Sequence, residues 1–261
     1  MLKFYPLFSG SKGNSELVVS DKAKILIDIG VSFKKLKEAL ENLNIDIKSD
    51  IDAIFITHEH IDHCKALGQV LKHTSIPIYA TSGTFEGLKI TGDNLYKINQ
   101  MKNGIKIKDM VVSYFLTSHD CIMPCGYIVK CDDKKVSIST DLGVITPQIL
   151  EKMTDSNLVY IESNHDPDML KMGNYPFALK KRILGNKGHL SNYACAEAIS
   201  YLTDKGVNNF ILAHLSEENN TPEIAKQVVT THLESLNFNL DNINIDVATP
   251  DFNMEEYLLW I

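Results

Sequence analysis

The 261-residue chain lacks any apolar run approaching the roughly eighteen residues that span a bilayer, so no membrane helix and no membrane partner are expected. It also lacks a basic excess. Lys and Arg total 26 against 33 Asp and Glu, a formal net charge of −7. That excludes a surface blanketed in phosphate contacts, and any nucleic-acid contact has to be local. No disulfide framework is present. The five cysteines, Cys64, Cys121, Cys125, Cys131 and Cys195, are odd in number and irregularly spaced. This is the usage of a reduced, cytoplasmic protein, and Cys121 and Cys125 read as core or strand residues rather than a metal pair. The opening MLKFYPLF is too short for a signal core and turns at once into SGSKGNS, so a first strand is expected there.

What the chain does contain is THEHIDH at residues 57–63, directly after the apolar run 51–56. Three histidines and an aspartate this close together are rare for packing reasons alone. In an extended segment alternate side chains share a face, so His58 and His60 point one way and Glu59 and Ile61 the other. A turn into helix near Asp62 then swings Asp62 and His63 to a neighbouring point. The pattern suits two adjacent divalent metals, one held mainly by His58 and His60, the other by Asp62 and His63. Neutral imidazole nitrogen and carboxylate oxygen suit zinc, manganese or iron(II). The helical zinc-protease motif His-Glu-x-x-His is excluded, because the residue four after His58 is Asp62. A merely solvated polar loop is the competing reading, and four ligand-type residues at this spacing argue against it.

THEHIDH resembles the signature of the metallo-β-lactamase-fold hydrolases. The resemblance implies an α/β (α+β) chain built as a four-layer αββα sandwich, two mixed sheets flanked by helices, with metals at one edge of the sheets. Runs 2–8, 17–19 and 24–29, split by turn residues, predict an antiparallel meander at its start. The loop SGSKGNS has the glycines and small polar residues of a tight turn whose N–H groups can face an anion or a metal site. By itself an ordinary turn is the plainer reading. It is similar to the SGSxGNS opening of the YycJ/WalJ-type exonuclease family, and on that resemblance Ser9, Ser11 and Asn14 contact phosphate. Asp28-Ile29-Gly30 closes the third run. Asp28 either caps the helix predicted over 32–43, for which Ser32 is the nearer cap, or, as the resemblance implies, orients the metal-binding loop.

The β-prone run 110–116 ends in Thr117-Ser118-His119-Asp120, which places His119 at a strand tip as a third ligand beside His58 and His60. The run 136–140 ends in Asp141-Leu142-Gly143 and echoes Asp28-Ile29-Gly30. That repeat agrees with a single domain, 1–261, made of two similar halves, roughly 1–130 and 131–261. On the resemblance Asp141 bridges the two metals, and His214, after the strand predicted over 209–213, completes the set with Asp62 and His63. Further strands are expected near 76–80, 95–98, 105–107, 157–161 and 243–247. Helices are expected over 64–73, 82–89, 193–203 and 221–236, with the apolar ending 257–261 packed on the domain's own surface.

A two-metal site of this kind, with a bridging hydroxide, hydrolyses phosphodiesters, thioesters or lactams. The lactam-cleaving members lack a bridging aspartate such as Asp141. Glu162 and His189 resemble the pair that ribonuclease Z-type enzymes set beside the scissile phosphate. The one markedly basic stretch, Lys171, Lys180, Lys181, Arg182 and Lys187, runs into Gly188-His189-Leu190-Ser191-Asn192. Lysine runs are more often solvated helix faces; here the histidine loop and a following helix N-terminus favour phosphate binding by Lys181, Arg182 and Ser191. The candidate catalytic residues are Asp62, His189 and Glu162. Only 48 positions (189 − 141) separate Asp141 from His189, too few for the inserted domain of the β-CASP nucleases. Only 22 (141 − 119) separate His119 from Asp141, too few for the tRNA-clamping arm of ribonuclease Z. From SGSKGNS through GHLSN to AHLSEENN the chain resembles the YycJ/WalJ-type family. This implies a 5′→3′ DNA exonuclease with two divalent ions, zinc or manganese, acting on duplex DNA with 5′ ends. A small-molecule phosphodiesterase or a hydroxyacylglutathione-type thioesterase is the alternative.

Overall fold

The computed structural model describes residues 1–90 and 97–251 and the backbone of residues 259–260. The chain forms two compact units, Met1–Tyr114 with Cys121–Lys134 and Thr249–Ile261, and Phe115–Asp120 with Lys135–Ala248. The short piece that carries His119 belongs to the second unit, and the chain's end returns to the first.

In the first unit β1 (Leu2–Phe8), β2 (Ser15–Ser20) and β3 (Lys24–Ile27) form the antiparallel meander. From β3 onward the direction changes: β4 (Ala53–Phe55), β5 (Ile78–Ala80) and β6 (Ile98–Gln100) add in parallel. Parallel addition needs crossovers, here α1 (Phe33–Asn42), α2 (Ile61–Cys64), α3 (Leu67–His73) and α4 (Ser82–Leu88). Parallel strands buried on both faces read as unbroken apolar runs, and all three residues of β4 are buried. Leu36, Ala39 and Leu40 of α1 fall on one face by helical spacing and pack into a core with Leu26, Ile54 and Val70. Ser32 caps α1, its side chain accepting from the Lys35 amide at 3.3 Å. The backbone of Leu259–Trp260 pairs antiparallel with β1, which accounts for the return of the chain's end; residues 257, 258 and 261 lie outside the described residues. Residues 95 and 96 of the strand expected near 95–98 also lie outside them. A hairpin of β7 (Ile105–Ile107) and β8 (Met110–Leu116), then β9 (Cys125–Cys131), completes the unit's strands.

The second unit is a parallel ladder of β10 (Lys134–Ser139), β11 (Leu158–Glu162), β12 (Asn209–Ala213) and β13 (Asn244–Val247). Its helices are α5 (Pro147–Met153), α6 (Pro167–Met172), α7 (Phe177–Ile183), α8 (Asn192–Asp204) and α9 (Pro222–Ser235). Thr146 and Thr221 cap α5 and α9 alike, each followed by proline at the first helical position. A Thr-Pro helix start thus recurs at two places in the second unit. The described strands fall into two mixed sheets flanked by helices. Among the described residues no helix is long and apolar enough to cross a membrane. All five cysteines are free.

Candidate metal centre

The first unit's donor set is built on Asp28. This residue ends β3 in the left-handed region, φ 58°, where a non-glycine residue is uncommon and costs energy. The conformation turns the carboxylate onto the loop after β4. One oxygen accepts from the Thr57 amide at 2.8 Å, the other from Thr57 Oγ1 and His63 Nδ1, both at 2.7 Å. A carboxylate can only accept, so His63 donates through Nδ1 and carries its lone pair on Nε2. Thr57 gives its proton to Asp28 and therefore accepts from His58 Nδ1 at 3.0 Å, which sets the His58 lone pair on Nε2. That Nε2 lies 3.2 Å from His60 Nδ1. Two ring nitrogens converging so closely require a proton or a cation between them, and the imidazole pair fits a divalent metal. Cys121 Sγ stands 3.4 Å from His60 Nε2, on the ring's other side. Asp62, in the first turn of α2, has Oδ2 at 3.7 Å from His63 Nε2.

The SGSKGNS loop is clasped to the same residues. Asn14 is buried, its Oδ1 accepts from the Gly10 amide at 2.9 Å, and its Nδ2 lies 3.0 Å from His63 Nε2. Its side chain thus meets His63, beside the metal-ligand candidates. Ser9 is buried as well, whereas Ser11 is exposed. Ser11 lines a cleft of about 420 Å³ with Lys12, Ser32, Lys35, Asp62 and Lys65. No sequence signal marked those three lysines, because each lies in a different segment and they meet only through folding.

In the second unit Glu162 is the hub. It ends β11 fully buried. Its Oε1 accepts from His189 Nδ1 at 2.7 Å and from His214 Nδ1 at 3.0 Å, and its Oε2 from the amides of Leu142 and Leu190 at 2.9 and 3.1 Å. Burial alone would raise the Glu162 pKa; the charge and hydrogen bonds of His189 and His214 instead bring it down to about 2. For His189 burial opposes protonation, but the Glu162 carboxylate outweighs it and the pKa is raised. Asp141 Oδ1 lies 3.5 Å from His189 Nδ1, 3.6 Å from His214 Nδ1 and 3.6 Å from His119 Nε2. His119 donates through Nδ1 to the Gly188 carbonyl at 2.9 Å, and burial lowers its pKa, so it is held neutral with its lone pair on Nε2. Asp141 and His214 adopt φ 55° and 54°, so three of the predicted site residues, with Asp28, carry left-handed backbone at strand ends. One ligand atom from each of Asp141, Glu162, His189 and His214 falls within 4.8 Å of the others.

Arg182 forms a bidentate pair with Asp120, at 2.6 and 3.0 Å, and so anchors the residue next to His119. Ser191 caps α8, its side chain accepting from the Ala194 amide at 3.3 Å. Lys181 is exposed. Thr57, and Asn164, whose Nδ2 donates to the His214 carbonyl at 2.8 Å, were not anticipated. Each adjoins a predicted ligand or strand tip, the one sequence signal that marks them.

The sequence profile of the β-lactamase superfamily domain matches residues 23–215. The exodeoxyribonuclease YycJ of Bacillus anthracis is 33% identical over 244 residues, spanning 91% of this chain and 91% of that protein. The exodeoxyribonuclease WalJ of Streptococcus pneumoniae serotype 2 is 33% identical over 261 residues, spanning 95% of this chain and 96% of that protein. Among solved structures, the metallo-β-lactamase fold protein YhfI from Bacillus subtilis superposes with a TM-score of 0.70 at 14% identity, covering 97% of this chain and 98% of that one. At that identity the likeness speaks for the fold, which is the metallo-β-lactamase fold.

Proposed function

The chain belongs to the β-lactamase superfamily and, within it, to the family of YycJ and WalJ, and on that premise we propose that it is a 5′→3′ DNA exonuclease acting on duplex ends. Metal-dependent hydrolysis follows from the family. In this reading His58, His60 and His119, then Asp62, His63 and His214, together with Asp141, would hold two divalent cations, zinc or manganese. The chemistry of the donor set supports this, since Asp28, Thr57, Gly188 and Glu162 each accept a hydrogen bond from the ring nitrogen that would not ligate. Bound cations neutralise phosphate charge and make water a stronger acid, which is what phosphodiester hydrolysis needs.

The observation that carries the phosphodiester reading is the Glu162–His189 pair. Glu162 stays ionised, holds His189 Nδ1–H and favours the imidazolium, so the opposite ring nitrogen has a proton to give to the leaving oxygen. Asp62 accepts the proton of the attacking water in this assignment. Ser11 and the lysines of its cleft, with Lys181, take the strand's phosphates. A DNA substrate and five free cysteines suit a cytoplasmic location.

Elemental analysis of the purified protein, then a metal-reconstituted assay on end-labelled duplex DNA, tests the proposal. Mononucleotides released from 5′ ends are expected, and His189→Ala should keep the metal while losing roughly 10²–10⁴-fold in rate. Intact DNA together with turnover of S-lactoylglutathione would establish the thioesterase instead.

A further inference from the structure

α6 and α7 are joined by a turn and enclose a cleft of about 650 Å³, lined by Lys171, Tyr175, Phe177, Lys180, Lys181 and Leu184. Phe177 is 82% exposed. Its ring lines the cleft and is left to solvent. The rim is cationic. Lys180 Nζ donates to the carbonyls of Lys171 and Gly173 at 2.6 and 2.7 Å, which ties α7 to the end of α6 and fixes that charge at the cleft. Lys171 lies 3.3 Å from Asp168, and Lys181 has no ion pair among the described residues. Aromatic rings between lysines are the composition that stacks a base while holding its flanking phosphates. A purely apolar partner would leave those ammonium groups to be desolvated without a counter-charge.

The cleft is also rigidly joined to the catalytic loop. The His189 amide donates to the Ile183 carbonyl at 3.0 Å. A Cβ on Gly188 would stand 2.1 Å from that same carbonyl oxygen, so the loop lies flat against the end of α7. Gly185 lines the cleft four residues before His189, a separation of at most about 14 Å. At ~3.4 Å per step along a stacked strand, that is about four nucleotides.

We infer that the α6–α7 cleft receives a base of a single-stranded DNA segment within a few nucleotides of the scissile phosphate, stacked on Phe177 and Tyr175 and held through its phosphates by Lys171 and Lys181. The inference rests on the DNA reading of the site proposed above. Affinity of the intact metal-loaded protein for a labelled, nuclease-resistant phosphorothioate oligothymidylate tests it. Phe177→Ala should weaken binding by about ten-fold or more. Phe177→Trp should keep binding, with fluorescence quenched as the oligonucleotide stacks. Unchanged affinity in Phe177→Ala, or no quenching in Phe177→Trp, overturns the inference. So does light scattering that shows self-association dispersed by Phe177→Ala with oligonucleotide affinity intact, which would make the cleft an interface between copies. Degradation of duplex DNA by the wild type is read separately. A protein that degrades DNA while Phe177→Ala binds normally loses the cleft alone; one that leaves DNA intact while Phe177→Trp is quenched keeps the cleft and loses the nuclease reading.

Discussion

A Cβ placed on Gly30 would stand 1.6 Å from the carbonyl oxygen of Asp62. Gly143 is in the corresponding position, where a Cβ would meet the Asn186 carbonyl and the Gly188 amide at 2.5 Å. The two Asp-x-Gly turns therefore work alike. In each, the aspartate turns left-handed to present its carboxylate, and two residues on a glycine lets the backbone of a histidine-bearing loop come into contact.

Gly30→Ala should cost about 3 kcal/mol or more, because the clash is with backbone and not with a flexible side chain. Urea denaturation measures the loss. A stability within about 0.5 kcal/mol of wild type would mean the loop moves freely, against the rigid contact described.

Asp28→Asn should fold, since the amide oxygen can still accept from Thr57, but its nitrogen cannot accept the His63 Nδ1 proton. Metal affinity is expected to fall by roughly 10–100-fold, read by competition with a chromophoric chelator. Wild-type affinity would show that Asp28 does not orient His63.

Glu162→Gln removes the charge that raises the His189 pKa. An acid is active while protonated, so kcat/KM falls as pH rises through that pKa. In the variant the alkaline limb should move to lower pH, and a limb that stays in place assigns the proton to another group.

His165 is 1% exposed, and neither ring nitrogen has a hydrogen-bond partner among the described residues. Burial pushes its pKa down to about 4. The unfolded chain takes up this proton near its ordinary pKa of about 6.5 and the folded chain does not. Stability is therefore fully present above about pH 6.5 and falls as pH drops towards 4, by about 3 kcal/mol at most. Urea midpoints at pH 7.5 and 5, compared with His165→Asn, isolate the contribution. An equal pH dependence in the variant would assign it elsewhere.

Local chemistry wrote much of this protein into its sequence. THEHIDH, the two Asp-x-Gly turns and the histidines at strand tips are legible because strand alternation and turn chemistry act over a few residues. Helix starts such as Ser32 and Thr221-Pro222 are legible for the same reason. Partner choice is not. Glu162 serves His189 and also His214, 52 residues away in the chain; Arg182 turns to Asp120; Asn14 turns inward to His63; and three lysines from separate segments share one cleft. Sequence spacing placed candidate donors at strand ends, whereas which acceptor each buried donor meets depended on packing. A buried polar group must find its partner among whatever the folded chain brings within about 3 Å, and no local pattern records that.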